Sequence, residues 1–361
     1  MYKYQFKFLL FFTSLAGITN IFAANIYSSE DSSIDVYGSL RLQGEYVSAD
    51  EVRAGEDDSY SGLRDAYSRF GIKASTSISN DITLAAKLEV PFNLAKLRVQ
   101  DPTFFDGFYK DSSSNAPRIY QVTASSKTYG SINFGKQWLA YYNNITYPVD
   151  YFSSFYSGYA TYSTFRREAL TYTSPTFSGF SGVISGVDLT DANGTNYLDT
   201  MQYAASYAKG PITFAVAYQD THDDRANLIG VSASYTTGPW RFASKVEQLQ
   251  SNSSVVENKD PTLFNVYGSY TVNKWTIKAM YANGDGKEGK NGEGDAFFIG
   301  DSYQLGVDYQ YDDKIKFFAE YFYEQNSYAI YTPNSKSFEP LANYQTEANG
   351  NAFSLGARFD F

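Results

Sequence analysis

Apolar and polar positions alternate along most of this chain. Val36, Leu40, Leu42 and Tyr46 interleave with Tyr37, Ser39, Arg41, Gln43 and Glu45. Ile82, Leu84, Ala86, Leu88 and Val90 do the same with Thr83, Lys87 and Glu89. The period returns around Ile212–Tyr218, Phe264–Val272, Trp275–Tyr281, Tyr303–Tyr309 and Ile315–Tyr323. It closes with Phe353, Leu355, Ala357, Phe359 and Phe361 against Ser354, Gly356, Arg358 and Asp360. A period of two is the mark of a strand with one dry face and one wet face. No segment after the first 25 residues shows a helical period of comparable strength.

The connections sort by length. Short turns fall at 79–81, 128–130, 175–178, 209–210, 237–239, 273–274 and 312–313. Longer polar segments lie near 49–65, 94–117, 140–164, 190–199, 221–225, 252–261, 284–299 and 327–350. Short turns at one end and long loops at the other predict an all-β fold, a 16-stranded antiparallel transmembrane β-barrel. A soluble sandwich would alternate too, but without this regular difference in loop length. In hydrocarbon a sheet must close on itself, because every backbone group has to be bonded internally.

Composition fits that reading. The 361 residues include 34 Tyr, 28 Phe, 27 Gly and no Cys, with a net charge of −10. Mean hydropathy is only −0.38, as expected when half of each strand faces water. Tyr and Trp suit the two membrane interfaces. The acidic balance argues against a nucleic-acid partner, and the absence of Cys removes disulfides and thiolate metal sites. Residues 1–23, or 1–24, carry Lys3 and Lys7, then an apolar stretch, then Ala23 and Ala24. That layout predicts a cleaved export signal, leaving a barrel domain over 24–361.

Several stretches together resemble the Gram-negative general porin family: IDVYGSLRL at 34–42, YSRFGIKAS at 67–75, YGSINFGKQW at 129–138 and LTYTSPTFSGFSG at 170–182. The resemblance implies a passive diffusion channel for small hydrophilic solutes and ions in the outer membrane of a Gram-negative cell. It implies a homotrimer whose barrels touch lipid and lipopolysaccharide, and a third loop folded inward to narrow each pore. That loop would be about 139–164, which is rich in Tyr and Phe and nearly uncharged. Asp150 is its acid, and YPVDYF stands where the family has a proline–acid–phenylalanine–glycine motif. The family's constriction bases map onto Arg69, Arg118 and either Arg166 or Arg167, with Arg166 favoured. Arg41 is inward by parity, although the family lysine corresponds better to Ser39. Lys136 aligns with a family base, yet its parity turns it outward. An alternative keeps Asp150 as a turn residue and pairs the arginines with inward acids such as Glu89. Gly356, Phe359 and Phe361 resemble the assembly signal read by the barrel insertion machinery.

The remaining constellations carry little chemistry. His222, in THDDR, is the only histidine, and neither it nor the glycine–acid stretch 283–297 has the spacing of a catalytic or metal site. Asn144, Asn193 and Asn252 match a glycosylation pattern that means little in a bacterial exported chain. No enzyme activity, cofactor or metal is expected. A substrate-specific channel, for instance for sugars with Tyr141, Tyr142, Tyr147 and Tyr151 as a stacking track, is one alternative; a barrel adhesin or receptor is another.

Overall fold

The computed structural model describes residues 23–53, 56–97, 117–155, 161, 163, 165–188, 200–221, 227–250, 262–285, 298–328, 331–333, 338–340 and 346–361. The leader expected over 1–23, apart from Ala23, lies outside the described residues. So do His222, Asn193, Asn252 and positions 286–297.

Twenty strands follow one another. They are β1 Ala24–Ser28, β2 Ser32–Arg53, β3 Glu56–Asp65, β4 Arg69–Ser77, β5 Ile82–Pro91, β6 Ile119–Ser126 and β7 Gly130–Trp138. Next come β8 Arg166–Thr173, β9 Phe180–Asp188, β10 Thr200–Lys209, β11 Ile212–Thr221, β12 Asn227–Thr237 and β13 Trp240–Gln250. The last are β14 Thr262–Val272, β15 Trp275–Asp285, β16 Phe298–Gln310, β17 Ile315–Tyr328, β18 Tyr331–Pro333, β19 Phe338–Pro340 and β20 Thr346–Asp360. Because β3 and β4 run end to end along β2, they form one stave. With β2, β5 to β17 and β20 this makes sixteen antiparallel staves, each hydrogen-bonded to its sequence neighbour.

Closure comes from β2, whose Ser39–Asp50 run pairs in register with Asp360–Asn349 of β20. No edge is left open in the wall, which satisfies the demand of the hydrocarbon on backbone groups. Below that seam β1 adds a short strand that the alternation did not predict, with Ala24 opposite Val36. Between the two, Gly38 N–H donates to Phe361 O at 2.8 Å and Phe361 N–H returns to Gly38 O at 3.1 Å. The Phe361 ring lies over Gly38, where any Cβ would collide with it.

The outer surface is apolar. Phe70, Ile72, Leu88, Val122, Phe134 and Leu305 are all exposed, while the alternate residues Gln43, Gln202, Lys245, Asn265 and Glu320 are buried inside. Trp240 packs on Tyr270 and Trp275 on Tyr309 beside the short turns, with ring centroids 4.5 and 4.6 Å apart. Nearer the long loops, Tyr281, Tyr303 and Tyr323 form a second row. The two rows are six residues apart on β15, roughly 20 Å along the strand. Such aromatic girdles bound the lipid-facing band of a membrane barrel.

Two expected loops differ in detail. Residues 49–53 and 56–65 continue as paired strand, with Ala49 opposite Asp58 and Arg53 opposite Glu56. Within 327–350 the small hairpin of β18 and β19 forms. Three-residue strands are too short to show a period of two, so periodicity gave no sign of it.

Candidate functional site

Inside the wall, Glu89 gathers the bases of three staves. Its Oε1 lies 3.2 Å from Arg118 Nε, while its Oε2 is 3.8 Å from Arg69 Nε and 3.9 Å from Lys87 Nζ. Tyr37 donates its hydroxyl to Oε2 at 3.1 Å. The strands explain the meeting. Arg69 opens β4, Lys87 and Glu89 are two apart on β5, and the Arg118 N–H donates to the Glu89 carbonyl at 2.8 Å. Tyr37 fits beside Gly71, where a Cβ would come within 2.5 Å of the ring. Arg41 faces the same cavity and donates from Nε to Ser39 Oγ at 2.8 Å.

Residues 139–155 are tied to inward-pointing wall groups on many staves. A short π-helix, Tyr142–Thr146, and a 3-10 turn, Tyr147–Val149, form its core. Leu139, Tyr141, Ile145 and Val149 are fully buried. The Tyr141 N–H donates to Gln202 Oε1 at 2.9 Å, and Ser232 Oγ donates to Asn144 O at 2.6 Å. Ser153 and Ser154 N–H groups donate to the two oxygens of Glu320 at 2.7 and 2.9 Å. The Phe155 N–H donates to Gln43 Oε1 at 2.8 Å. Wall glycines make room: Gly230 faces Tyr141 and Ile145, and Gly306 faces Phe152. At Tyr67, between β3 and β4, the backbone enters the left-handed region at φ 71°. Its hydroxyl donates to Phe155 O at 2.9 Å and its ring stacks on Phe155 at 5.3 Å. Strain of this kind persists only where surrounding contacts hold it.

Asp150 accepts the Tyr142 hydroxyl at 2.5 Å. Tyr142 stacks on Trp138 at 4.7 Å, and the Arg166 guanidinium lies 4.9 Å from the Trp138 ring. Burial raises the Asp150 carboxyl above its ordinary value, against the hydrogen bond from Tyr142 and the charge of Arg41, which lower it. Asp150, Arg41, Arg69, Arg118 and Arg166 all line one cavity of about 1060 Å³.

Sequence comparison decides the family. The profile of Gram-negative porins matches residues 13–329, most of the chain. The chain belongs to the Gram-negative porin family. The outer membrane porin PhoE of Klebsiella pneumoniae is 27% identical over 217 residues, 57% of this chain and 56% of that protein. The outer membrane porin F of Xenorhabdus nematophila is 22% identical over 268 residues, 74% of this chain and 62% of its own length. The chain thus spans little more than half the length of the curated relatives it matches. Among solved structures, an anion-selective porin from Comamonas acidovorans superposes with a TM-score of 0.68 at 16% identity, covering 92% of this chain and all of the other. The Salmonella typhi OmpF complex with daunomycin gives 0.67 at 20% identity, covering 94% and 100%.

In this porin the sequence-derived bases divide into groups. Arg69 and Arg118 meet at Glu89, whereas Arg166 and Asp150 are linked through Trp138 and Tyr142. Lys136 faces away from that cavity, pairing in the ladder with Tyr120 and Glu168. Two inward clusters escaped sequence reading. Lys278 lies 2.9 Å from Asp308 and 2.8 Å from Glu320, with Lys316 3.2 Å from Asp308. Lys245 and Glu247 form a fully buried pair beside Thr146 and Thr161. Their signal was parity: each base occupies an inward slot between lipid-facing residues. Gly356 and Phe359 sit on β20 at the seam, Phe359 opposite Leu40 and stacked on Phe361 at 5.7 Å.

Proposed function

We propose that this porin is a passive diffusion channel for small hydrophilic solutes and ions across the outer membrane, and not an enzyme. The observation that carries the reading is the water-accessible cavity of about 1060 Å³, walled by charged side chains inside a closed apolar barrel. Sixteen staves are wide enough to leave an aqueous lumen. Residues 139–164 act as the constricting third loop, supported by hydrogen bonds from their 139–155 part to wall groups on β2, β10, β12 and β17. Arg41, Arg69, Arg118, Arg166 and Asp150 set the field in the gap, and Glu89 shares that task.

Export by the leader over 1–23, assembly as a homotrimer, contact with lipopolysaccharide, and recognition of Gly356, Phe359 and Phe361 by the insertion machinery complete the proposal. Purified protein in a planar bilayer should produce stepwise conductance in triplets, and liposomes carrying it should swell in small sugars. A bilayer that stays silent at high protein load would sink the pore reading.

A second reading has one observation in its favour. Tyr142, Tyr147 and Tyr151 line the cavity with ring centroids 6.4 and 6.0 Å apart in sequence. Such a run could stack sugar rings, and saturable block of conductance by one sugar class would favour a specific channel.

A further inference from the structure

We infer that the lumen of this pore selects small anions, and that a row of bases across the closing seam sets the choice. The inference rests on the pore reading above and names the solute class it passes. Arg41 on β2 stands directly opposite Arg358 on β20, and Arg358 stands directly opposite Lys316 on β17. Three adjacent staves therefore present three like charges at paired positions, all facing the same cavity. On the other side of β2, Lys73 of β4 is directly opposite Lys87 of β5, again with both side chains on the cavity.

Like charges at directly opposed positions destabilise a sheet. A wall built only for stability would interleave acids. Here the nearby acids are shared among too many bases. Glu89 serves Arg69, Lys87 and Arg118, while Lys316 shares Asp308 with Lys278, which Glu320 also answers. Asp360 is taken by Arg358 at 2.7 Å. Arg118 is 4% exposed, and its Nη1 has no hydrogen-bond partner among the described residues. Basic side chains outnumber acidic ones nine to four among the described residues that line the cavity.

The whole chain carries −10, which by itself predicts the opposite preference. Distance decides between the two. Charges farther from the gap than a Debye length, about 8 Å at physiological salt, are largely screened there. A permeating ion in the gap meets the wall charges at a few ångströms, and rings of Arg and Lys are what anion pores use. The seam row thus acts as a specificity-determining element for chloride, phosphate and small carboxylates alike.

The test is the reversal potential of the trimer in a planar bilayer under a potassium chloride gradient. The wild-type protein should favour chloride over potassium. Lys316→Gln with Arg358→Gln should lower the chloride-to-potassium permeability ratio by about twofold or more, with conductance steps retained. Lys73→Gln changes an exposed lumen lysine and should lower the ratio by a smaller factor, so it serves if the double variant does not assemble. A conducting wild-type pore that favours potassium overturns the inference, as does a ratio unmoved by both variants. A wild-type protein that forms no pore overturns the diffusion-channel reading instead.

Discussion

Arg118 Nε lies 3.2 Å from Glu89 Oε1, so its charge is answered by the neighbouring stave, while Asp150 receives the hydroxyl of Tyr142. The acid of residues 139–155 and the acid of the arginine cluster are thus different residues. Each can be changed without removing the other, which separates their contributions.

Glu89→Gln leaves Arg69, Lys87 and Arg118 around a neutral amide. A buried pair that loses one partner costs roughly 3 kcal/mol or more. The variant should unfold at lower urea concentration, measured by tryptophan fluorescence of the refolded barrel. Its pores should favour chloride more strongly than the wild type does.

Glu320→Gln weakens the grip on Ser153 and Ser154, whose N–H groups it accepts at 2.7 and 2.9 Å. Hydrogen bonds to a charged acceptor are worth about 1.5–3 kcal/mol, so the segment should fluctuate. Single-channel traces should show more open-state noise and brief partial closures. Unchanged noise would mean that other contacts hold residues 151–155.

Gly230→Val places a branched side chain where Tyr141 and Ile145 now rest. Overpacking of this kind costs about 1–3 kcal/mol, and the cheapest relief is displacement of the π-helical turn. Conductance should change while the barrel still forms, as judged by its heat-dependent mobility on a gel. Gly182→Val, on the same wall with only Ser174 Oγ and Ala204 O near its Cβ position, is the control and should conduct normally.

The raised Asp150 carboxyl makes selectivity depend on pH. As pH falls, Asp150 should lose its charge above the ordinary carboxylate range near 3.9, removing a negative charge from the gap. Chloride preference should therefore rise on acidification, and Asp150→Asn should flatten that part of the profile. Because the folded pKa is raised, the proton favours the folded state. This group's stabilising contribution is full below its unfolded pKa and is lost as pH rises through the folded value.

Phe361→Ala removes the ring that covers Gly38 and stacks on Phe359 at 5.7 Å. The seam between β2 and β20 keeps its backbone ladder but loses its aromatic seal near the short-turn end. Yield of heat-stable oligomer should fall more than conductance per pore; normal yield would argue against a role in assembly.

Much of this architecture was legible in the chain. Phe70 and Ile72 against Arg69 and Gly71, or Leu355 against Ser354, fix which way each residue faces, because the pleat reverses side chains at every step. That local rule, with the contrast of short turns and long loops, determined the closed barrel, its strand count and the inward direction of Arg41 and Arg69. It could not reveal β1, since five exposed residues pair there only because β2 extends beyond the end of β20.

What tertiary structure alone decided is partnership. Arg41 and Arg358 come from opposite ends of the sequence and become neighbours only when β2 meets β20. Glu89 finds Arg118 across a connection whose length hides their pairing, and Glu320 finds Ser153 across the lumen side of the wall. Period fixes a direction for each side chain, but register and closure fix its neighbour. The sequence by itself therefore determined where each charge points, and the closed barrel decided which charges answer one another.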